Sequence, residues 1–140
     1  TRIRRFYMNN LFIDGTALTP LIDFNADQGV MRIQGRSIPD NPDEFWYKVL
    51  LWFDEYMMNS HSLTTFEVDL EYFNVTSSKR ILALLYKLND LINMNKDVIV
   101  VWSYRESDED MYEVGQDYAY MVKVPFEFKS YVEPELALAI

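Results

Sequence analysis

The segment Asn74-Val75-Thr76-Ser77-Ser78-Lys79 is where residue type and spacing offer the most chemistry. A strand-patterned run through Leu70-Glu71-Tyr72-Phe73 stops at Asn74, hydroxyl side chains follow, and a helix-patterned run begins. The first turn of a helix carries unpaired N–H groups and the positive end of the helix dipole. A phosphate on Thr76 or Ser77 would be stabilised there, so the turn could hold a charge switch. The plainer role for Thr76 or Ser77 is to cap the helix through its side-chain oxygen. Both readings stand at this point.

Little else in the chain is equipped for catalysis. The single histidine, His61, lies in a polar stretch with neither a cysteine nor a second histidine to join it on a metal, and no glycine-rich phosphate loop is present. Asp108-Glu109-Asp110 could hold a divalent cation through oxygen ligands, but carboxylates at a helix start more often answer the dipole. Glu67, Asp69 and Glu71 share one strand face, which reads first as a solvated face. No catalytic residue, metal or cofactor is expected, and a metal-dependent enzyme is the weakest of the functional readings.

The elements that must position the turn follow from periodicity. Residues 20–25 and 30–35 read as strands joined by the Ala26-Asp27-Gln28-Gly29 turn. Asn41-Pro42 opens a helix to about Met58, with Phe45, Val49, Trp52, Phe53 and Tyr56 as its apolar stripe. Residues 65–73 alternate, with Phe66, Val68, Leu70 and Tyr72 opposite Glu67, Asp69 and Glu71. A second helix is expected from about Ser77 to Asn93. Val98–Trp102 reads as a central strand covered on both faces, and Ser107 as the cap of a third helix reaching about Val122. Phe126–Tyr131 is a last, edge-like strand. The order predicts an α/β fold with a single mixed sheet: helical crossovers favour parallel pairing, and the early hairpin supplies an antiparallel edge. The acidic alternation at 67–71 suggests that one sheet face is incompletely covered by helices.

Composition sets outer bounds. The chain has 140 residues, nearly half of them hydrophobic and 16% aromatic, which suits one folded domain over 1–140. Its core is expected at about 11–131, with an apolar tail at 132–140. A net charge of −9 disfavours nucleic acid and anionic membranes as partners. No apolar run approaches the ~20 residues that span a bilayer. The absence of cysteine fits a cytoplasmic location.

A set of short motifs occurs in order along the chain: Phe12-Ile13-Asp14-Gly15-Thr16, Thr19-Pro20, Gly35-Arg36-Ser37-Ile38-Pro39, Leu70-Glu71-Tyr72-Phe73-Asn74, Ser77-Ser78-Lys79, Asp108-Glu109-Asp110-Met111 and Pro125-Phe126. Together they resemble the SiaC-type regulatory phosphoproteins over roughly residues 11–131. The resemblance implies a fold like that of the anti-sigma-factor antagonists (STAS-like), with helices mainly on one sheet face. It also implies a non-catalytic bacterial regulator of a partner-switching pathway. A Ser/Thr protein kinase would phosphorylate it, a metal-dependent phosphatase would reverse this, and the unphosphorylated form would bind an effector. In the best-known branch the effector is a diguanylate cyclase, which links the protein to cyclic di-GMP signalling and biofilm formation.

In that branch the phosphoacceptor directly follows the asparagine matched by Asn74. Here Val75 stands at that position and cannot accept phosphate. Thr76 and Ser77 are therefore the phosphorylation candidates, and Asn74, Val75, Thr76, Ser77, Ser78 and Lys79 form the expected partner-binding surface. The rival reading is a constitutive binding module that uses the same surface without phosphorylation.

Overall fold

The structure is a computed structural model that describes residues 8–133. Six strands form one mixed sheet in chain order: β1 (Leu11–Ile13), β2 (Leu21–Asn25), β3 (Val30–Ser37), β4 (Leu63–Phe73), β5 (Asp97–Arg105) and β6 (Phe126–Tyr131). The pairs β1–β2 and β2–β3 are antiparallel, whereas β3–β4, β4–β5 and β5–β6 are parallel. Each parallel step is bridged by a helix: α1 (Pro42–Met58), α2 (Val75–Asn93) and α3 (Glu109–Met121). Parallel crossovers are right-handed, and the sheet always advances in one direction, so all three helices fall on the same face.

That face holds the core. Ile22, Phe24, Met31, Ile33, Phe66, Val68, Leu70, Val98, Val100 and Trp102 project from the strands into a buried cluster with Trp46, Phe53, Tyr56, Leu84, Leu85 and Leu88 of the helices. The opposite face carries ion pairs instead: Arg32 with Glu67 at 2.9 Å, Arg36 with Glu71 at 3.4 Å, and Arg105 with Glu133 at 2.6 Å. The incompletely covered face expected from the 67–71 alternation is present: among the described residues, no helix packs on it.

Several expectations need correction. The three-residue β1 went unread because so short a strand carries no periodicity, and only its pairing with Ile22–Phe24 defines it. Tyr72 does not share the face of Leu70. The β3–β4 register shifts between Gly35 and Arg36, so that Gly35 lies opposite Leu70 but Arg36 opposite Tyr72. The extra residue, Glu71, turns Tyr72 outward under the Arg36 guanidinium and Phe73 inward toward Trp102. β5 is buried on one face only, since Ile99 and Val101 are half-buried. In α1 the fully buried aromatic at the first turn is Trp46, with Phe45 packed edge-on against it. Of the expected tail at 132–140, Val132 and Glu133 are exposed and the rest lies outside the described residues.

Candidate functional site

The caps of α2 and α3 differ from expectation by a residue or more. Asn74 leaves β4 with extended backbone, and its side-chain oxygen accepts the Ser77 N–H at 2.9 Å, so Asn74 caps α2 and neither Thr76 nor Ser77 does. The helix begins at Val75. Likewise Asp108, and not Ser107, caps α3 by accepting the Met111 N–H at 3.0 Å.

The earlier start of α2 separates the candidate hydroxyls. Thr76 is the second helical residue and is half-buried at the surface. Ser77 is third, points inward and has no solvent exposure. Its hydroxyl donates to the Ser37 carbonyl at 3.0 Å and lies 2.7 Å from the Ser37 hydroxyl. The Asn74 N–H donates to the same carbonyl at 3.1 Å. The first turn of α2 is thus fastened to the end of β3, and Ser77 is spent on that fastening.

Ser78 makes a second tie. Its hydroxyl lies 2.8 Å from the Tyr118 hydroxyl, which donates to the Ser78 carbonyl at 3.0 Å, so α2 and α3 are bonded near the start of α2. Burial pushes the Tyr118 pKa up, with the Ser78 bond opposing, and the phenol stays protonated as a donor. Val75, 72% exposed, and Lys79 lie on the outer surface one helical turn apart. Lys79 and Arg80 are three and four residues beyond Thr76, within reach of a group on its oxygen. Arg80 is ion-paired with Asp43 in the first turn of α1. The structure therefore presents Val75, Thr76 and Lys79 outward, while Asn74, Ser77 and Ser78 hold the turn in place. Ser37 and Tyr118, which brace it, escaped the sequence reading because each contacts α2 across some forty residues of chain.

The three acidic groups of the 67–71 strand face have partners. Glu67 pairs with Arg32, Asp69 accepts from the Tyr131 hydroxyl at 3.0 Å, and Glu71 pairs with Arg36 and lies 3.8 Å from Arg105. Among the described residues, no group of three or more His, Cys, Asp or Glu side chains is placed to hold a metal ion. His61 accepts the Leu63 N–H on its Nδ1 at 3.4 Å within its loop. No described helix is long and apolar enough to cross a membrane.

This chain is similar to known proteins in both fold and sequence. It resembles SiaC of Pseudomonas aeruginosa with a TM-score of 0.81 at 24% identity, covering 89% of this chain and all of that one. It also matches a chain in the crystal structure of the diguanylate cyclase SiaD in complex with its activator SiaC, from the same organism. There the TM-score is 0.82 at 25% identity, over 86% of this chain and 99% of that one. By sequence, an uncharacterized protein of Pseudomonas aeruginosa (strain UCBPP-PA14) is 25% identical over 126 residues, 90% of this chain and the whole of the relative. The model of the SiaC family regulatory phosphoproteins matches residues 13–131, and the chain belongs to that family.

Proposed function

We propose that this protein is a non-catalytic regulator that binds and controls a partner enzyme, a diguanylate cyclase, through the start of α2, and that phosphorylation of Thr76 switches the binding off. A Ser/Thr kinase adds the phosphate and a metal-dependent phosphatase removes it. The family's description as regulatory phosphoproteins and the cyclase complex of a similar chain support the reading. The observation that carries it is local. The first turn of α2 contains no acidic residue, presents the Thr76 hydroxyl at the surface, and has Lys79 one turn further on. A phosphate there adds nearly two negative charges, held by the helix N-terminus and Lys79. The same charge would sit beside exposed Val75 and oppose any partner that packs an uncharged surface on it.

Thr76 is preferred to Ser77 because the Ser77 hydroxyl is buried and doubly bonded to Ser37. A kinase could reach it only after the turn had opened. Site-mapping mass spectrometry on protein purified from its native cells tests the assignment. A single phosphate on Thr76 is expected, together with loss of cyclase capture in the Thr76→Glu variant. A chain that stays unmodified under several growth conditions, and captures the cyclase equally well as Thr76→Glu, would instead make it a constitutive binding module. Exposed Val75 at the usual acceptor position is what favours that second reading.

A further inference from the structure

No described strand pairs with the outer edge of β6, and we infer that it pairs with the β6 edge of a second copy of this chain, antiparallel and centred on Phe128. Sheet edges are ordinarily blunted by proline, a bulge, an inward charge or exposed lysines. β6, the last strand in the sheet order, has no proline, bulge or inward charge, and its exposed Lys129 lies 3.6 Å from Glu127 of the same strand. The direction of its free groups is fixed by its inner partner. The Pro125 carbonyl accepts from the Val100 N–H and the Tyr131 carbonyl from the Glu106 N–H. Backbone direction alternates along a strand, so Phe126, Phe128 and Ser130 aim their N–H and C=O groups away from β5.

A two-fold axis normal to the sheet keeps the helix-covered face of both copies on the same side. Only registers that oppose residues of like facing are then allowed. Centring on Phe128 sets Phe126 opposite Ser130 of the second copy, Phe128 opposite Phe128, and Ser130 opposite Phe126. All three are outward-bonding positions, at about two hydrogen bonds per pair. It also sets Glu127 opposite Lys129 of the second copy, and Lys129 opposite Glu127. Sliding to a centre on Glu127 or on Lys129 shortens the ladder and places two like charges face to face, which is unfavourable. The strand is complementary to itself in one central register.

The helix face agrees. α3 rests over β5 and β6, with Gly115 against Trp102 and Phe128, and Tyr112 against Tyr104 and Phe128. Strands are about 4.8 Å apart, so the two α3 axes would run roughly 10 Å apart, an ordinary helix-packing distance. Tyr118 marks the α2 side of α3 through its bonds to Ser78. The row Tyr112, Gln116 and Tyr120 therefore lies on the other flank, joined by the Gln116–Tyr112 hydrogen bond. Tyr120 is 93% exposed on one chain alone and would gain a neighbour across the axis. In such a dimer the two copies of the α2 start lie at opposite ends of one continuous sheet.

Light scattering coupled to gel filtration, over a wide concentration range, tests the pairing on the full chain. A species of twice the chain mass is expected. Lys129→Glu, an exposed change, should weaken it by about tenfold or more, because both cross-strand pairs become Glu against Glu. The double swap Glu127→Lys with Lys129→Glu should restore it. Ser130→Pro should also weaken it, since that N–H bonds nothing within the chain's own sheet and proline is tolerated at edges. A monomer at every concentration overturns the inference, including one whose edge amides are protected from exchange by the chain's own remaining residues. A dimer indifferent to Lys129→Glu and Ser130→Pro overturns it too, because it uses another surface.

Discussion

The starts of α2 and α3 occupy equivalent places, each following a parallel strand at the same end of the sheet, yet they are built oppositely. α3 begins with Asp108 as cap and Glu109 and Asp110 in its first turn. α1, one crossover earlier, likewise has Asp43 and Glu44 behind its Asn41 cap. Acidic side chains there satisfy the positive end of the helix dipole permanently. α2 has the amide cap Asn74 and then Val, Thr and Ser, with no acid in the turn. Its dipole end has no acidic side chain of its own. Fixed charge thus stands at the starts of α1 and α3 and hydroxyls at the start of α2, where the proposed phosphate would supply the missing charge.

The largest test of that contrast places fixed charge at Ser77. Ser77→Asp puts a carboxylate into a site without solvent and without a cation, and should cost roughly 3 kcal/mol or more in urea unfolding. If it proves nearly neutral, the Ser37–Ser77 contact is not the fastening described above. Ser77→Ala is the milder form. It strands the Ser37 hydroxyl without its acceptor and should cost about 1–3 kcal/mol by the same measurement. The caps come next. Asn74→Ala and Asp108→Ala should each cost ~1 kcal/mol. The double variant should be close to additive, because the Ser78–Tyr118 bonds reach the last turn of α3 and not its capped start; a clear deviation would mean that the two caps are coupled through the helix.

How much of this contrast was legible in the sequence depends on the range of the interaction. Asn41-Pro42 fixed the start of α1 because cap and first helical residue are adjacent. Phe126–Tyr131 was read with its observed bounds because Pro125 marks one end. Asn74 was recognised as the end of β4 but not as the cap of α2. With three hydroxyl residues following, local chemistry allowed several caps, and the choice rests on where the β4 exit is held against Ser37. Periodicity carried Tyr72 to the wrong face because the bulge at Glu71 is a property of the pairing with β3 and leaves no mark on β4 alone. The division of labour between Thr76 and Ser77 was least visible. It depends on a serine forty residues earlier.

The smallest effect is the most diagnostic, because its sign is unusual for a substitution. Thr76→Asp supplies α2 with the first-turn acid that α1 and α3 already have, without entering the core. It should raise stability by about 0.3–1 kcal/mol at low ionic strength, and added salt should reduce the gain. Glu109→Gln, which takes a charge from the matching turn of α3, should lose a similar amount and show the same salt dependence. The pair separates folding from binding, since Thr76→Asp should stabilise the chain while weakening capture of the proposed cyclase partner. If Thr76→Asp destabilises the protein at low salt, the start of α2 is not a place where negative charge is accommodated. A phosphate on Thr76 would then have to act by disrupting the turn, and the contrast between the two helix starts would lose its electrostatic meaning.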